Sequence, residues 1–374
     1  MRPMGDRLEL PPRQIFGSLW CSTKFLCQAA AQSRRQLVFL GSPEVAADVL
    51  EFLSSSSKSD DACTFEVAGV VTQPWAARGR SRKPRPSFVE EAAMRCGLPE
   101  ERIFRPASAK DAGFLEALAG LKPDLCVTAA YGNLLPQAFL DIPTFGTLNI
   151  HPSLLPQFRG AAPVQRALQE GWNNSGVSLA FTVLAMDAGP IVAQETVDMH
   201  RYKDANDALQ DLFQIGARML VRELPRVWSG AAAAEARPQD ESQATSAPKL
   251  CKHDAVLDFS RTAEALTNQV RAFAGWPGSK VSLSLREADG SLSEPFDLKI
   301  VQAAPFPRPV EGDWQVPTGG PGSTSITARD GLLIRCGMGS VLKVLMVHPS
   351  GRKAMSIDAY LNRLSSGATL VANM

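Results

Sequence analysis

An asparagine and a histidine stand two residues apart at the end of one predicted strand. The stretch GTLNIHPSLLPQFRG (residues 146–160) carries Asn149 and His151, and Pro152 then ends the strand. Side chains two apart lie on the same face of a strand, and ligands of α/β sheets bind just beyond strand carboxyl ends. One amide and one imidazole are therefore directed at a common point. A histidine that only hydrogen-bonds its own backbone is the alternative interpretation.

A third candidate, Asp187, lies in the sequence MDAGPI, at a turn between two strand-like segments. A carboxylate beside an imidazole fixes its tautomer and favours the protonated, donating form. Asn149, His151 and Asp187 together could stabilise an oxyanion and manage a proton during acyl transfer. An aspartate at a turn also serves turn formation alone, and the spacing does not separate the two roles.

The sequence lacks the signatures of a covalent nucleophile, of a dinucleotide site and of a metal centre. The GSP turn at 41–43 is not a GxSxG elbow, and no GxGxxG follows the first strand. Seven scattered cysteines without a CxxC pair, and only four histidines, predict reduced thiols and no metal. We therefore expect the substrate's own nucleophile to attack a bound carbonyl directly.

Strands alternate with helices through the first part of the chain, which predicts an α/β fold with a doubly wound, Rossmann-like parallel sheet. The serine-rich stretch at 54–62 is typical of a surface loop. Strands are predicted at residues 37–40, 65–72, 125–129, 146–150, 177–184 and 191–197, and a long amphipathic helix at 206–224.

Composition divides the chain into four parts. Residues 36–228 form the predicted catalytic domain, and 229–250, rich in Ala, Gln, Ser, Glu and Pro, a linker. Residues 251–374 contain several β-like segments separated by Gly and Pro, which predicts a smaller C-terminal β-barrel of OB-like type.

Residues 1–35 hold six Arg or Lys and only two acids, a composition typical of an organellar transit peptide. We expect delivery to the mitochondrion, with the plastid as a second option and a disordered tail without an address as the alternative.

The overall composition excludes some classes of protein. With 45% hydrophobic and 21% charged residues the chain is neither wholly disordered nor collagen-like, and it has no apolar segment long enough to predict a membrane span. The net charge of +1 predicts no general affinity for polyanions. Positive charge is concentrated in AARGRSRKPRP at 76–86, which contains five cations and no acid. A charge cluster of this kind is usually a solvated surface, and a local contact with RNA phosphates is the alternative.

LNIHPSLLPQFRGAAPVQRAL followed by MDAGPIV strongly resembles the folate-dependent formyltransferases. TQPWAARGRSRKPRPSFVEEAAMRCGLP, YGNLLP, RPQDESQATSAPKL, RAFAGWPGS and GRKAMS are similar to the branch of that family that acts on methionyl-tRNA. The resemblance covers the chain from about residue 36 onwards.

The resemblance implies roles for particular residues. Asn149, His151 and Asp187 match the catalytic triad of formyl transfer, and Ala188 departs from the bacterial pattern, which often has Thr after the aspartate. Arg78 matches an arginine that approaches the acceptor end of the tRNA. The residues matching the tetrahydrofolate site are Ser153, Leu154, Leu155, Pro156, Ala130, Tyr131, Gly132 and Leu134, and those assigned to tRNA binding are Arg78, Arg80, Arg82, Lys83 and Arg85.

The implied activity is transfer of the formyl group of 10-formyltetrahydrofolate, a co-substrate, to the α-amine of initiator methionyl-tRNA, without a metal. Two alternatives stay open at this stage. One is formylation of a small amine such as glycinamide ribonucleotide or an amino sugar, and the other is a non-catalytic RNA- or folate-binding relative. We expect no membrane association, and the sequence does not fix the oligomeric state, with a monomer as the working expectation.

Overall fold

The computed structural model describes residues 34–59, 65–77, 83–307, 317–327, 329–364 and 368–373. The predicted targeting segment at 1–35 therefore lies almost wholly outside the described residues, as do Arg78, Arg80 and Arg82 of the basic loop. Among the described residues, no helix combines the length and the apolar character needed to cross a bilayer.

The first part of the chain forms a seven-stranded sheet in the order β5-β2-β1-β6-β7-β8-β9, and a small hairpin, β3–β4. The strands are β1 (Arg35–Gly41), β2 (Phe65–Val71), β3 (Ala76–Ala77), β4 (Pro84–Arg85), β5 (Ile103–Phe104), β6 (Leu125–Ala129), β7 (Thr147–His151), β8 (Asn174–Phe181) and β9 (Ile191–Asp198).

The predicted parallel sheet is confirmed for five strands, since β5, β2, β1, β6 and β7 all pair in parallel. β8 and β9 are added antiparallel at the edge, a feature that the sequence pattern did not predict. Only residues 182–190 join β8 to β9, which is too short a connection for a parallel crossover.

Helices cover both faces of this sheet. The helices in the described residues are α1 (Glu44–Ser59), α2 (Phe88–Arg95), α3 (Ala112–Gly120), α4 (Gln137–Leu140), α5 (Pro163–Gln169), α6 (Ala205–Trp228), α7 (Ala231–Glu235), α8 (Ala263–Ala272) and α9 (Ile357–Leu361). α1, α2, α5 and α6 share one core with the sheet, and α3 and α4 share another on the opposite face. The doubly wound architecture is therefore confirmed.

The loop predicted at residues 54–62 is wrong over residues 54–59, because α1 continues to Ser59. Ser54 and Ser57 are buried, and the Ser57 hydroxyl donates to the Ser54 carbonyl oxygen at 2.8 Å. Serine therefore satisfies its own polar group inside the helix, and the low-complexity composition did not reveal this.

The C-terminal part is an antiparallel, nearly closed barrel around its own apolar core, as predicted. Its strands are β10 (Ser279–Arg286), β11 (Phe296–Pro305), β12 (Thr324–Thr327), β13 (Gly331–Arg335), β14 (Val341–His348), β15 (Met355–Ser356) and β16 (Thr369–Ala372). The order is β12-β13-β14-β11-β10-β16, and β15 pairs with β14. The Thr324 hydroxyl donates to the Leu370 carbonyl, which links β12 to β16 across the remaining opening.

Candidate active site

Asn149 lies near the carboxyl end of β7, and the neighbouring strand fixes its amide. The Thr128 hydroxyl of β6 donates to Asn149 Oδ1 at 2.8 Å. The amide nitrogen of Asn149 therefore faces the other way, 3.3 Å from Asp187 Oδ1. Because an amide nitrogen carries two hydrogens, one N–H is available beyond the bond to Asp187.

His151 ends the same strand and is 4% exposed. Its Nε2 lies 3.0 Å from the Phe158 carbonyl oxygen, which can only accept, so Nε2 carries a hydrogen. Nδ1 faces Asp187 Oδ1 at 3.7 Å, which is too long for a hydrogen bond and short enough for strong attraction when the ring is protonated. The alternative of a backbone-bonded histidine thus describes one ring nitrogen, while the other belongs to the cluster.

Asp187 serves both its turn and the cluster. Its backbone has a φ of 51°, in the left-handed region that costs a non-glycine residue about 1 to 2 kcal/mol. Its second carboxylate oxygen accepts from the Gly160 backbone N–H at 2.8 Å. The carboxylate is thus held between the two strand-end side chains and a neighbouring loop.

Gly160 is required where the chain of residues 237–247 passes the site. A Cβ at this position would lie 2.5 Å from the Ala247 carbonyl oxygen, and its φ is 126°. The backbone of Arg159 pairs with the same segment, here called the strap, since its N–H donates to Thr245 at 2.9 Å and its carbonyl accepts from Ala247 at 2.6 Å. The strap, which lies within the predicted linker, is therefore hydrogen-bonded to the loop that carries Arg159 and Gly160.

A cavity of about 960 Å³ opens beside the three polar side chains. Ala130, Tyr131, Gly132 and Leu134 line it together with Asn149, His151 and Asp187. Residues that follow the carboxyl ends of β1 and β6 line it, at the point where the order of the strands reverses direction.

The outer wall of the cavity is apolar and exposed. Leu134 is 68% exposed, Leu184 62% and Met186 56%, and all three line the cavity. Deeper in the wall, the buried Thr182 hydroxyl has no hydrogen-bond partner among the described residues. The buried Tyr131 hydroxyl and the buried Asn133 amide nitrogen lie close together, and neither makes a regular hydrogen bond among the described residues. The cavity thus combines an apolar wall with a few polar groups that lack a partner among the described residues, as small-molecule sites do.

Residues 153–156 are not brought to the cavity wall, although Pro152 is. Ser153 is fully buried, and its hydroxyl donates to the Gln157 carbonyl at 2.7 Å. Leu155 packs against Ala180 and Ile191, and its N–H donates to the Ser178 hydroxyl at 3.0 Å. Ser153, Leu154, Leu155 and Pro156 therefore build the turn behind His151.

Of the basic loop, Lys83 and Arg85 are described and both are exposed. They lie at the second arm of the β3–β4 hairpin, in which Ala76 pairs with Arg85. The described residues contain no group of three or more His, Cys, Asp or Glu side chains that could hold a metal ion.

Sequence reasoning missed two residues of the site. Thr128 orients Asn149, and Gln239 donates from Nε2 to the carbonyl oxygens of Asp187 and Gly189, each at 2.7 Å. Gln239 is 52 residues from Asp187 in the chain, so no spacing rule connects them. The motif RPQDESQATSAPKL was the signal available, and composition alone assigned it to a linker.

The fold and the site define an enzyme of acyl-group transfer, and comparison with known proteins specifies the group. Residues 35–224 match the family "Formyl transferase", and residues 249–365 match "Formyl transferase, C-terminal domain". The chain belongs to the formyl transferase family.

Two relatives that match most of the chain belong to one branch of that family. Methionyl-tRNA formyltransferase of Bacillus licheniformis is 33% identical over 339 residues, which cover 91% of this chain and 97% of the relative. Methionyl-tRNA formyltransferase of Methylococcus capsulatus is 36% identical over 87% of this chain and 96% of the relative.

A solved structure supports the fold. The N-formyltransferase of Helicobacter canadensis, crystallised with folinic acid and dTDP-3-aminofucose, superposes with a TM-score of 0.56 and 14% identity. The match covers 83% of this chain and 98% of that one.

Proposed function

We propose that this protein transfers the formyl group of 10-formyltetrahydrofolate to the α-amine of methionyl-tRNA, giving formylmethionyl-tRNA for translation initiation. The observation that carries the proposal is the juxtaposition of Asn149, His151 and Asp187 at one wall of the cavity. The two full-length relatives, both methionyl-tRNA formyltransferases, supply the substrate.

The cavity suits a folate. A pterin is flat and carries several donors and acceptors, and the wall combines exposed Leu184 and Met186 with the unpartnered Thr182 hydroxyl. Gly132 has a φ of 86°, and a Cβ there would meet nothing within 4 Å, so the backbone stays open to a ligand. We assign the folate to the wall formed by residues 130–134 and 182–186, and residues 153–156 support this site from behind.

In the reaction the methionyl amine attacks the formyl carbon, and negative charge develops on the formyl oxygen. Asn149 donates its remaining N–H, and protonated His151 donates from Nδ1. One such donor in an active site contributes roughly 3 to 4 kcal/mol. Because Nε2 is bound to the Phe158 carbonyl, donation from Nδ1 requires the imidazolium, which Asp187 stabilises at 3.7 Å.

The protons balance within the same cluster. The attacking amine loses one proton as its bond to the formyl carbon forms. The nitrogen of tetrahydrofolate gains one as its bond to that carbon breaks. Asp187 and His151 lie together where this proton has to move, so these two side chains can carry it from one nitrogen to the other.

The basic loop and the barrel distinguish a tRNA substrate from a small amine. Lys83 and Arg85 are exposed, and the sequence adds Arg78, Arg80 and Arg82 to the same loop. Phosphates of an acceptor stem bind such local cations even when the net charge of the protein is near zero. In the barrel, Arg352 and Lys353 are exposed and offer a second contact, whereas Lys280 and Lys343 are paired with acids.

The direct test is a competition between acceptors. The protein is incubated with radiolabelled 10-formyltetrahydrofolate, methionyl-tRNA and glycinamide ribonucleotide together. We expect the label in methionyl-tRNA, and a label found chiefly in the nucleotide would instead support a small-amine formyltransferase.

We also propose that residues 1–35 deliver the protein to the mitochondrion, where translation starts with formylmethionine as in bacteria. The acid-poor, arginine-containing composition of the segment supports this address. A fluorescent protein fused to residues 1–40 is expected to enter mitochondria. A diffuse cytosolic signal would contradict the proposal, and a plastid signal would change the organelle.

A further inference from the structure

Gln239, in the strap that follows α7, uses its amide group fully. Nε2 donates to the carbonyl oxygens of Asp187 and Gly189, each at 2.7 Å. Oε1 accepts from Arg159 Nε at 3.0 Å and from Arg159 Nη2 at 2.8 Å. One side chain therefore joins the turn that carries Asp187 to the loop that carries Gly160.

These contacts close a ring around Asp187. Arg159 holds Gln239 from one side, and Gly160, the next residue, donates its N–H to the Asp187 carboxylate at 2.8 Å. Gly160 thus holds the Asp187 carboxylate directly, and Arg159 holds the Asp187 backbone carbonyl through Gln239. Glu241 fixes Arg159 with an ion pair at 2.8 Å and raises the pKa of the guanidinium through that hydrogen bond.

The backbone of Asp187 has a left-handed φ of 51°, a conformation that is less favourable for a residue with a side chain than for glycine. The Asp187 carbonyl and the Asp187 side chain branch from the same Cα, so fixing the carbonyl restricts where Cβ can lie. Gln239 therefore fixes the base of the side chain while the Gly160 N–H holds its carboxylate end, and together they keep the carboxylate 3.7 Å from His151 Nδ1.

We infer that Gln239 is a positioning residue for catalysis: it orients the Asp187 carboxylate toward His151 through the Asp187 backbone carbonyl. The inference rests on the proposed function. It makes the strap, and not only the sheet edge, part of the catalytic apparatus. A displacement of about 1 Å of a catalytic group typically lowers a rate by about 10².

Two variants separate positioning from general support. Gln239→Ala removes all four hydrogen bonds, whereas Gln239→Glu keeps an acceptor for Arg159 and loses both donors to the carbonyls. We expect kcat to fall by about tenfold or more in both variants, with KM for each substrate within about twofold. Gln243→Ala is the matched control, since Gln243 lies in the same strap and its Nε2 donates to exposed Asp240 at 2.9 Å.

The decisive measurement is a double-mutant cycle with Asp187→Asn. If Gln239 acts through Asp187, adding Gln239→Glu to Asp187→Asn lowers kcat by less than about twofold further. Fully additive effects on kcat, or a Gln239→Glu enzyme as active as Gln243→Ala, would overturn the inference.

Failure of the proposed function gives a different result, because the wild type would then transfer no formyl group to methionyl-tRNA. The His151 ring-nitrogen chemical shifts provide a readout independent of activity. They should change in Gln239→Glu and stay unchanged in Gln243→Ala, and unchanged shifts in both variants would refute positioning even without an assay.

A second inference rests on a different observation, at the root of the basic loop. Trp75 is 54% exposed, yet its indole N–H is bound to the buried Glu90 carboxylate, 2.9 Å and 3.1 Å from the two oxygens. Arg105 pairs with the same carboxylate at 2.9 Å. The ring is therefore fixed along one edge while much of its surface faces solvent.

We propose that this ring is a stacking platform for an unpaired nucleobase of the tRNA acceptor end, again on the basis of the proposed function. Trp75 directly precedes β3, and exposed Lys83 and Arg85 lie on the opposite arm of the hairpin. A fixed aromatic face beside phosphate-binding cations is how proteins bind single-stranded nucleic acid, and each stacked base strengthens binding by about fivefold to a hundredfold. Gln73, two residues earlier, donates to the Tyr131 carbonyl at 3.1 Å and thereby ties this segment to the cavity wall.

The test uses two RNA hairpins that carry no amino acid as inhibitors of formylation. One hairpin has a single-stranded 3′ overhang, and the other is blunt. Wild type is expected to bind the overhang hairpin at least about fivefold more tightly, and Trp75→Ala to bind both equally. Trp75→Phe, which keeps a ring and loses the N–H, should retain part of the difference. If Trp75→Ala weakens neither hairpin, or weakens both by the same factor, the ring does not bind the single strand.

Discussion

Asp187→Asn is the substitution that separates charge from shape in the site. In the wild type, one carboxylate oxygen faces Asn149 Nδ2 at 3.3 Å and His151 Nδ1 at 3.7 Å, and the other accepts from Gly160 at 2.8 Å. An asparagine has only one acceptor oxygen. Its NH₂ group must therefore face one of these donors, and the negative charge of the wild-type side chain is absent.

The size of the effect follows from the geometry. Opposite unit charges at 3.7 Å attract by roughly 4 kcal/mol at an effective dielectric constant of about 20. The His151 and Asp187 side chains are only 5% and 16% exposed, so solvent screens the pair little. Since about 1.4 kcal/mol corresponds to a factor of ten, we expect the rate to fall by about 10² to 10³.

The assay is single-turnover formylation of methionyl-tRNA, which reports the transfer step. Asp187→Asn should lower the rate, because protonated His151 loses its charged partner. Asp289→Asn is the control, as Asp289 lies in an exposed turn and accepts from the Ser291 N–H at 2.9 Å. Full activity of Asp187→Asn would reduce Asp187 to a turn residue.

Three other substitutions or modifications test separate parts of the molecule. His151→Ala should lower the single-turnover rate by about 10² to 10³ with folate binding by calorimetry nearly unchanged, and activity within about twofold of wild type would refute the assignment. Replacing all five cations of the basic loop by Ala should raise KM for methionyl-tRNA. The slope of the logarithm of the tRNA-binding constant against the logarithm of the salt concentration should become smaller by about one unit for each phosphate that the loop no longer binds. KM for 10-formyltetrahydrofolate should not change, and a normal KM for methionyl-tRNA at physiological salt would make the loop a solvated surface. Burial raises the pKa of the Cys336 thiol to about 11, so this thiol stays protonated at about pH 8. Iodoacetamide should therefore modify exposed Cys251 before Cys336, as mapped by mass spectrometry. Equal rates of modification at the two cysteines would contradict the burial of Cys336.

The sequence predicted those features that depend on local periodicity. Alternation along β7 placed Asn149 and His151 on one face, and the structure brings both beside Asp187. The run of strands and helices predicted the doubly wound sheet. The antiparallel edge was missed because alternation does not encode strand direction, although the short connection at 182–190 is compatible only with a hairpin.

Contacts between distant segments could not be predicted in this way. Thr128 reaches Asn149 across a strand pair, and Gln239 reaches Asp187 from a segment with the composition of a linker. The need for glycine at position 160 follows from the tertiary structure, because a Cβ there would lie 2.5 Å from the Ala247 carbonyl oxygen. Such residues are determined by tertiary packing, which a single sequence does not display.

The most direct test of the central claim is the chemical identity of the product. Wild-type protein is incubated with 10-formyltetrahydrofolate and methionyl-tRNA, and the aminoacyl end is released and analysed by mass spectrometry. Formyl transfer predicts N-formylmethionine formed in step with tetrahydrofolate, with Asn149→Ala forming it at least about tenfold more slowly. Methionine that stays unmodified while the protein binds both substrates would contradict the claim and leave a binding protein with this fold.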